Sequence, residues 1–308
     1  MNGIGDIEPD DVKNIPTFRA AYSDRTALLM ARFAFRAYTA FDVDDDAVAA
    51  FEREFSELGL TNCVGLIDRD LGTAGLAVAG EDIIVIAFRG TQDDLDWRTN
   101  VNAAWVVLQG GVRVHTGFFQ AYWPIRDTLF ETVQRFLSQK ARPVYIAGHS
   151  LGGALATMAT AELANHADAM VRDAIAACYT FGAPRVGDSS FDQFVSVPLY
   201  RVTNGIDIVP VLPPFFLGYR TTGDTRYFGR SGTAPLRKSP ALIWQLWPTI
   251  LGLVKWATSG KLQSIEDHLM SVYLGKLAAW AMVTLEATKH RRDKTVDPTI
   301  GTREGADR

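Results

Sequence analysis

Pro143-Val144-Tyr145-Ile146-Ala147-Gly148-His149-Ser150-Leu151-Gly152-Gly153-Ala154-Leu155-Ala156 is the stretch that decides the fold of this chain. An apolar, strand-like run enters Gly-x-Ser-x-Gly, and a run of small helix-forming residues leaves it. Strand, Gly-x-Ser-x-Gly and helix, in that order, is the setting of a nucleophile elbow. The serine of an elbow sits on a sharp, strained turn, so that its Oγ stands above the sheet. Gly148 and Gly152 suit that turn, because a Cβ at either place would collide with the opposite arm. Gly153 and Ala154 then let the helix lie close to the strand. On this reading Ser150 is the nucleophile.

The rest of the chain is read outward from there. Its 308 residues are enough for one large α/β domain. Hydrophobic residues make up 47% and charged residues 21%, an ordinary balance for a globular protein. The net charge of −4 supplies no basic face, so no nucleic-acid partner is expected. Cys63 and Cys178 are the two cysteines, which excludes a disulfide scaffold; Cys178 lies in an apolar run and reads as a buried free thiol. The N-terminal segment Met1-Asn2-Gly3-Ile4-Gly5-Asp6-Ile7-Glu8 is acidic and lacks the apolar core of a secretory signal. That points to a cytoplasmic protein.

Helical and strand-like runs alternate along the chain. Tyr22 to Phe41 predicts a helix with Asp24 as N-cap, and Asp45 to Leu58 a second one stopped by Gly59. Gly75 to Val78 and Ile83 to Phe88 read as a hairpin around Gly80-Glu81. The second arm has no polar alternation and should be buried on both faces. Pro124 to Gln139 reads as a helix leading into the Ser150 strand; Ala174 to Phe181 and Leu199 to Thr203 are further strands. This alternation predicts an α/β fold with a mostly parallel central sheet and helices on both faces. Its active site would lie beyond the carboxyl ends of the strands. Leu269 to Ala281 reads as a helix, and the charged tail over 289–308 as disordered.

A serine hydroxyl is a poor nucleophile at neutral pH and needs a histidine base oriented by a carboxylate. Chains with this elbow run Ser, Asp or Glu, then His. Of the five histidines, His115 and His149 precede Ser150 in sequence, His166 lies on the helix leaving the elbow, and His290 lies in the charged tail. His268 remains. The carboxylate should follow a later strand, and Asp207 lies in the turn Asn204-Gly205-Ile206-Asp207-Ile208-Val209-Pro210 after Leu199 to Thr203. Its apolar neighbours mean that it needs a partner to stay charged. Asp188, Asp192 and Asp224 sit in stretches that look like solvated turns and are weaker candidates. For the oxyanion, the N–H of Leu151 is one donor, and Thr91, after Phe88-Arg89-Gly90, is the other. His115 and His149 are expected to hydrogen-bond backbone near the site. No residue spacing suits a metal, and no metal or organic cofactor is expected.

Taken together, these motifs resemble the fungal-type (class 3) triacylglycerol lipases of the α/β-hydrolase fold. The matching pieces are Val85 to Thr91, Val114 to Phe118, Gly148 to Gly153, Thr180 to Gly187, Asn204 to Pro210 and Asp267-His268. The resemblance implies Ser150, Asp207 and His268 as catalytic triad, with Thr91 and Leu151 forming the oxyanion hole. It also implies a single hydrolase domain over 1–288, with a lid at about 92–104. Asp96, Trp97 and His149 are then grouped as lid or substrate-contacting residues. The lid Gln92 to Asn100 is unusually acidic, which argues against strong interfacial activation.

A second departure is an apolar insertion over about 236–262. Three of the seven tryptophans, Trp244, Trp247 and Trp256, lie there. Pro248 interrupts the run, which is too short to cross a membrane, so no transmembrane span is expected. It reads as a cap beside the acyl site that also contacts lipid surfaces. The expected activity is hydrolysis of lipid carboxylic esters through an acyl-enzyme. The rivals are a phospholipase A, a feruloyl-type esterase or an acyltransferase, and, of another class, a non-catalytic lipase-like binding protein.

Overall fold

The computed structural model describes residues 5–13, 15, 21–39, 45–90, 104–229, 237–238 and 263–295. Helix α1 (Pro9–Lys13) is short; α2 spans Asp24–Thr39 and α3 spans Asp45–Glu57. Three strands follow, β1 (Leu60–Asp68), β2 (Thr73–Gly80) and β3 (Ile84–Phe88). A small hairpin of β4 (Trp105–Val107) and β5 (Arg113–His115) leads into helix α4 (Thr116–Gln139). Strand β6 (Val144–His149) enters the elbow and α5 (Leu151–Ala164) leaves it. Then come α6 (Ala169–Arg172), β7 (Ile175–Phe181), α7 (Ser189–Phe194), β8 (Leu199–Asn204), β9 (Asp224–Phe228) and β10 (Arg237–Lys238). Helices α8 (Gln263–His268) and α9 (Met270–Thr295) complete the described elements.

The large sheet has the order β1-β2-β3-β6-β7-β8-β9-β10. Strands β3, β6, β7, β8 and β9 run parallel, and β1, β2 and β10 are antiparallel additions at the two edges. The sheet is therefore mostly parallel, as the alternation of runs predicted. Its strands β2, β3, β6 and β7 are buried on both sides because both sides are covered. Val85, Ala87, Tyr145, Ala147, Tyr179 and Phe181 face α2 and α9, where they meet Phe33, Tyr273 and Leu274. Ile84, Ile86, Val144, Ile146 and Cys178 face α4 and α5, where they meet Tyr122, Leu129, Leu155 and Met158. Two side-chain sets of period two, each with its own layer of helices, make this a doubly wound sheet. Cys178 is a free thiol, and burial pushes its pKa up to about 12.

Four expectations need correction. The cap of α2 is Ser23, whose carbonyl accepts from Ala27 N at 2.8 Å and whose Oγ accepts from Thr26 N at 3.4 Å. Asp24 lies one residue inside. Burial raises its carboxyl pKa, against hydrogen bonds from Trp280 and Tyr22 that lower it. Helix α4 begins at Thr116, a full two turns before Pro124, because His115 Nδ1 caps it by accepting from Gly117 N and Phe118 N at 3.1 and 3.4 Å. Asp224 lies on strand β9 and pairs with Arg226 at 2.6 Å, so it is no turn residue. Helix α9 runs to Thr295 and so takes in the first seven residues of the 289–308 tail expected to be disordered; 296–308 lie outside the described residues. Lys, Arg and Glu are good helix formers, and no breaker occurs before Pro298.

Candidate active site

The elbow is built as its glycines require. Ser150 has φ 55° and ψ −126°, and among the described residues it is the one non-glycine with positive φ. Such a backbone is strained and persists where its surroundings fix it. Here Ser150 N donates to Phe181 O at 3.0 Å, and Gly153 N donates to Ser150 O at 3.0 Å. A Cβ on Gly148 would overlap the carbonyl of Gly152 across the turn. Leu151 is the first residue of α5, so its N–H has no acceptor within the helix.

His268 ends α8, and its Nε2 lies 2.8 Å from Ser150 Oγ. Its Nδ1 lies 2.8 Å from Asp207 Oδ2, in the turn after β8. An ionised carboxylate only accepts, so Nδ1 carries the proton and Nε2 is left to accept from the serine hydroxyl. Ser150 and His268 are fully buried and Asp207 is 9% exposed. Asp207 is well satisfied: its Oδ1 accepts from Val209 N at 2.9 Å, and its Oδ2 also accepts the Tyr273 hydroxyl at 2.7 Å. Burial and the neighbouring carboxylate push the Tyr273 pKa well up, so that hydroxyl stays a donor. The structure thus brings Ser150, His268 and Asp207 together. It keeps the other acidic candidates apart: Asp188 caps α7 and pairs with Arg113 at 2.6 Å, and Asp192 is exposed.

Several residues that fasten this arrangement were not singled out in the sequence for that role. Asp267 accepts from Ile206 N at 2.8 Å, and its carbonyl accepts from Asn204 Nδ2 at 2.7 Å. Lys276 Nζ donates to Asn204 Oδ1 at 2.5 Å. Arg201, buried on β8, donates to Pro184 O, Ala183 O and Pro210 O at 3.0, 2.7 and 3.3 Å, joining the loop after β7 to the Asp207 turn. Burial lowers its pKa to about 10. A charged residue inside the apolar run Leu199 to Thr203 was the signal for it.

His149 requires a correction. It was grouped with the lid and substrate contacts, yet it is buried and both ring nitrogens are occupied. Its Nε2 donates to the carbonyl of His268 at 2.7 Å, and its Nδ1 accepts from Tyr38 Oη at 2.7 Å. The β6 strand is buried on both faces, so the side chain turns into the protein and props the His268 segment. The backbone hydrogen bonding expected of His115 and His149 is what they make. Thr91, Asp96 and Trp97 lie outside the described residues, as do the 92–104 lid apart from Ala104 and the 236–262 insertion apart from Arg237 and Lys238. Among the described residues no group of His, Cys, Asp and Glu is arranged to hold a metal ion. No helix among them is long and apolar enough to cross a membrane.

Residues 85–217 match the family model described as Lipase (class 3). The chain is 40% identical over 147 residues to a protein of Fusarium solani named secreted mono- and diacylglycerol lipase 1, covering 45% of this chain and 42% of that one. It is 31% identical over 199 residues to phospholipase A1-II 4 of Oryza sativa subsp. japonica, covering 54% and 48%. The chain thus spans less than half the length of either relative. The expected cytoplasmic placement finds no support in the Fusarium protein's name. The solved structure of Rhizomucor miehei lipase with its propeptide is similar in fold, with a TM-score of 0.58 at 24% identity over 75% of this chain and 78% of that one. That likeness bears on the α/β-hydrolase fold, and over residues 85–217 the chain is similar to the class 3 lipases.

Proposed function

We propose that this chain hydrolyses carboxylic esters of lipids through Ser150, His268 and Asp207. The observation that carries the reading is the unbroken relay from Ser150 Oγ to His268 Nε2 and from His268 Nδ1 to Asp207 Oδ2, 2.8 Å at each step. Ser150 Oγ attacks the ester carbonyl while His268 takes its proton. The tetrahedral oxyanion is held by the Leu151 N–H, with Thr91 as the expected second donor. The C–O bond to the alcohol then breaks, and His268 returns the proton to the leaving alkoxide. Water attacks the acyl-Ser150 ester, losing its proton to His268; the acyl C–Oγ bond then breaks, the fatty acid leaves, and His268 returns the proton to Ser150 Oγ. Asp207 stays ionised throughout, orienting the imidazole and stabilising its protonated form.

Ser150 and His268 are fully buried, so an ester reaches Oγ only after part of the covering chain moves. A movable lid over 92–104 and an apolar cap over 236–262 that contacts lipid are the expected parts. A second reading, a phospholipase A, is favoured by the name of the rice relative. A non-catalytic binding protein has no need of the relay or the strained serine. A hydrolysis panel tests the proposal: p-nitrophenyl esters of graded chain length, a triglyceride emulsion, and phosphatidylcholine. Turnover of lipid esters supports it, and phosphatidylcholine as best substrate selects the second reading. Failure on every ester, with the protein folded, contradicts it.

A further inference from the structure

Beyond Asp207 the chain runs through Leu212-Pro213-Pro214 into a turn, Phe215-Phe216-Leu217, closed by Gly218. All three side chains of the turn are exposed, Phe216 by 74%. Three consecutive large apolar residues held in water are unusual for a solvated loop. This turn is held rather than slack. Leu217 N donates to Pro214 O at 3.1 Å and Gly218 N to Phe215 O at 3.0 Å. The Arg220 guanidinium donates to Phe215 O and Tyr219 O at 3.2 and 3.0 Å. Behind it Trp105 stacks on Tyr219 with ring centroids 4.0 Å apart, and Val107, two residues along the same strand, is 65% exposed.

We propose that this turn is a lipid-surface anchor, inserting Phe215, Phe216 and Leu217 among acyl chains while Arg220 meets anionic headgroups. The inference rests on the lipid-ester reading of the Ser150 site and names the surface on which that site works. Its place supports it: the turn begins eight residues after Asp207, and Arg185, in the loop after β7, fastens the segment leading into it by donating to Pro213 O at 3.0 Å. Its charge supports it too, because residues 208–223 contain Arg220 and no carboxylate. An apolar tip, a tryptophan at its base and a cation at its rim is the order in which a lipid–water interface presents its own layers.

The test uses the full chain and vesicles of phosphatidylcholine doped with phosphatidylglycerol. Wild type is compared with the double substitution Phe215→Ser, Phe216→Ser, and with Phe216→Trp. The serine variant should lose about tenfold in vesicle partition and in turnover of a triglyceride emulsion, while a soluble short-chain p-nitrophenyl ester is turned over within about twofold of wild type. Phe216→Trp should keep the partition and show blue-shifted emission on vesicles. Equal partition of wild type and serine variant overturns the proposal, as does self-association that the serine variant abolishes while vesicles bind neither protein. Partition that falls in the variant of a protein hydrolysing no ester upholds the anchor and sinks the lipid-ester reading instead.

Discussion

The carboxylate of Asp267 accepts the backbone N–H of Ile206 at 2.8 Å, so the residue before His268 is fastened to the residue before Asp207. The two segments are 61 residues apart in the chain. Their separation at the site is set here, one residue from the His268–Asp207 bond. A misplacement of a fraction of an ångström lengthens that bond and turns the imidazole away from Ser150. Asp267→Ala should therefore lower kcat by about 10- to 100-fold with little change in KM. Asp267→Asn, which keeps an acceptor oxygen, should recover most of it. Steady-state kinetics on a soluble ester decide the matter; equal losses in both variants would speak for charge rather than position.

Tyr273 adds a hydroxyl donor to the same Asp207 oxygen that holds His268. The donor steadies the carboxylate's rotamer in a buried site. Tyr273→Phe removes one hydrogen bond to an ionised group and little volume. Its kcat should fall by about tenfold, with the denaturation midpoint shifted modestly. Unchanged kcat would show that Val209 N alone is enough to hold Asp207.

Gly182 lies in the loop after β7 with φ 58°, and a Cβ there would stand 2.9 Å from Asp207 Oδ2 and 3.0 Å from His268 Nδ1. A methyl group would press on the triad hydrogen bond from the side. Gly182→Ala should lower activity by about a hundredfold and stability by about 2 kcal/mol. Urea unfolding and ester turnover measure the two effects separately.

Ser150 and Asp207 were legible because each is announced locally, and His268 because the other four histidines fall away. Ser150 has its strand and helix, Asp207 has a turn after an apolar strand, and His268 was left once chain order, the helix after the elbow and the charged tail had removed the others. The α/β alternation was legible for the same reason, since buried parallel strands are apolar without interruption. Strands β1 and β9 were not, because as half-solvated strands near the sheet's edges they carry Thr61, Asn62, Asp224 and Arg226 and lose that signature. Asp267, Arg201 and Tyr273 act through contacts that exist only once distant segments meet, and His149 looked like a substrate contact because the sequence does not say which way it turns. The α4 cap was missed because its acceptor is a histidine nitrogen in place of the usual oxygen.

That cap has a consequence for stability. Burial lowers the His115 pKa from 6.5 to about 4, so the folded protein holds the ring neutral. Between those values the unfolded chain binds the proton and the folded chain does not. Stability from this group is complete above pH 6.5 and is lost as pH falls through 6.5 toward 4. His115→Asn keeps a side-chain acceptor for the helix and removes the titration. Denaturant unfolding at about pH 7.5 and pH 5 should show a smaller loss in the variant than in wild type. Equal losses would assign the acid sensitivity to other groups.

The claim on which the account stands is that Ser150 is an activated nucleophile. Labelling of the folded protein with a fluorescent alkyl phosphonate, followed by mass spectrometry of the adduct, tests it most directly. The account predicts a single covalent adduct on Ser150, absent in Ser150→Ala, with ester turnover in that variant lower by about ten-thousand-fold or more. No adduct on folded wild type, or an adduct that persists in Ser150→Ala, would contradict it.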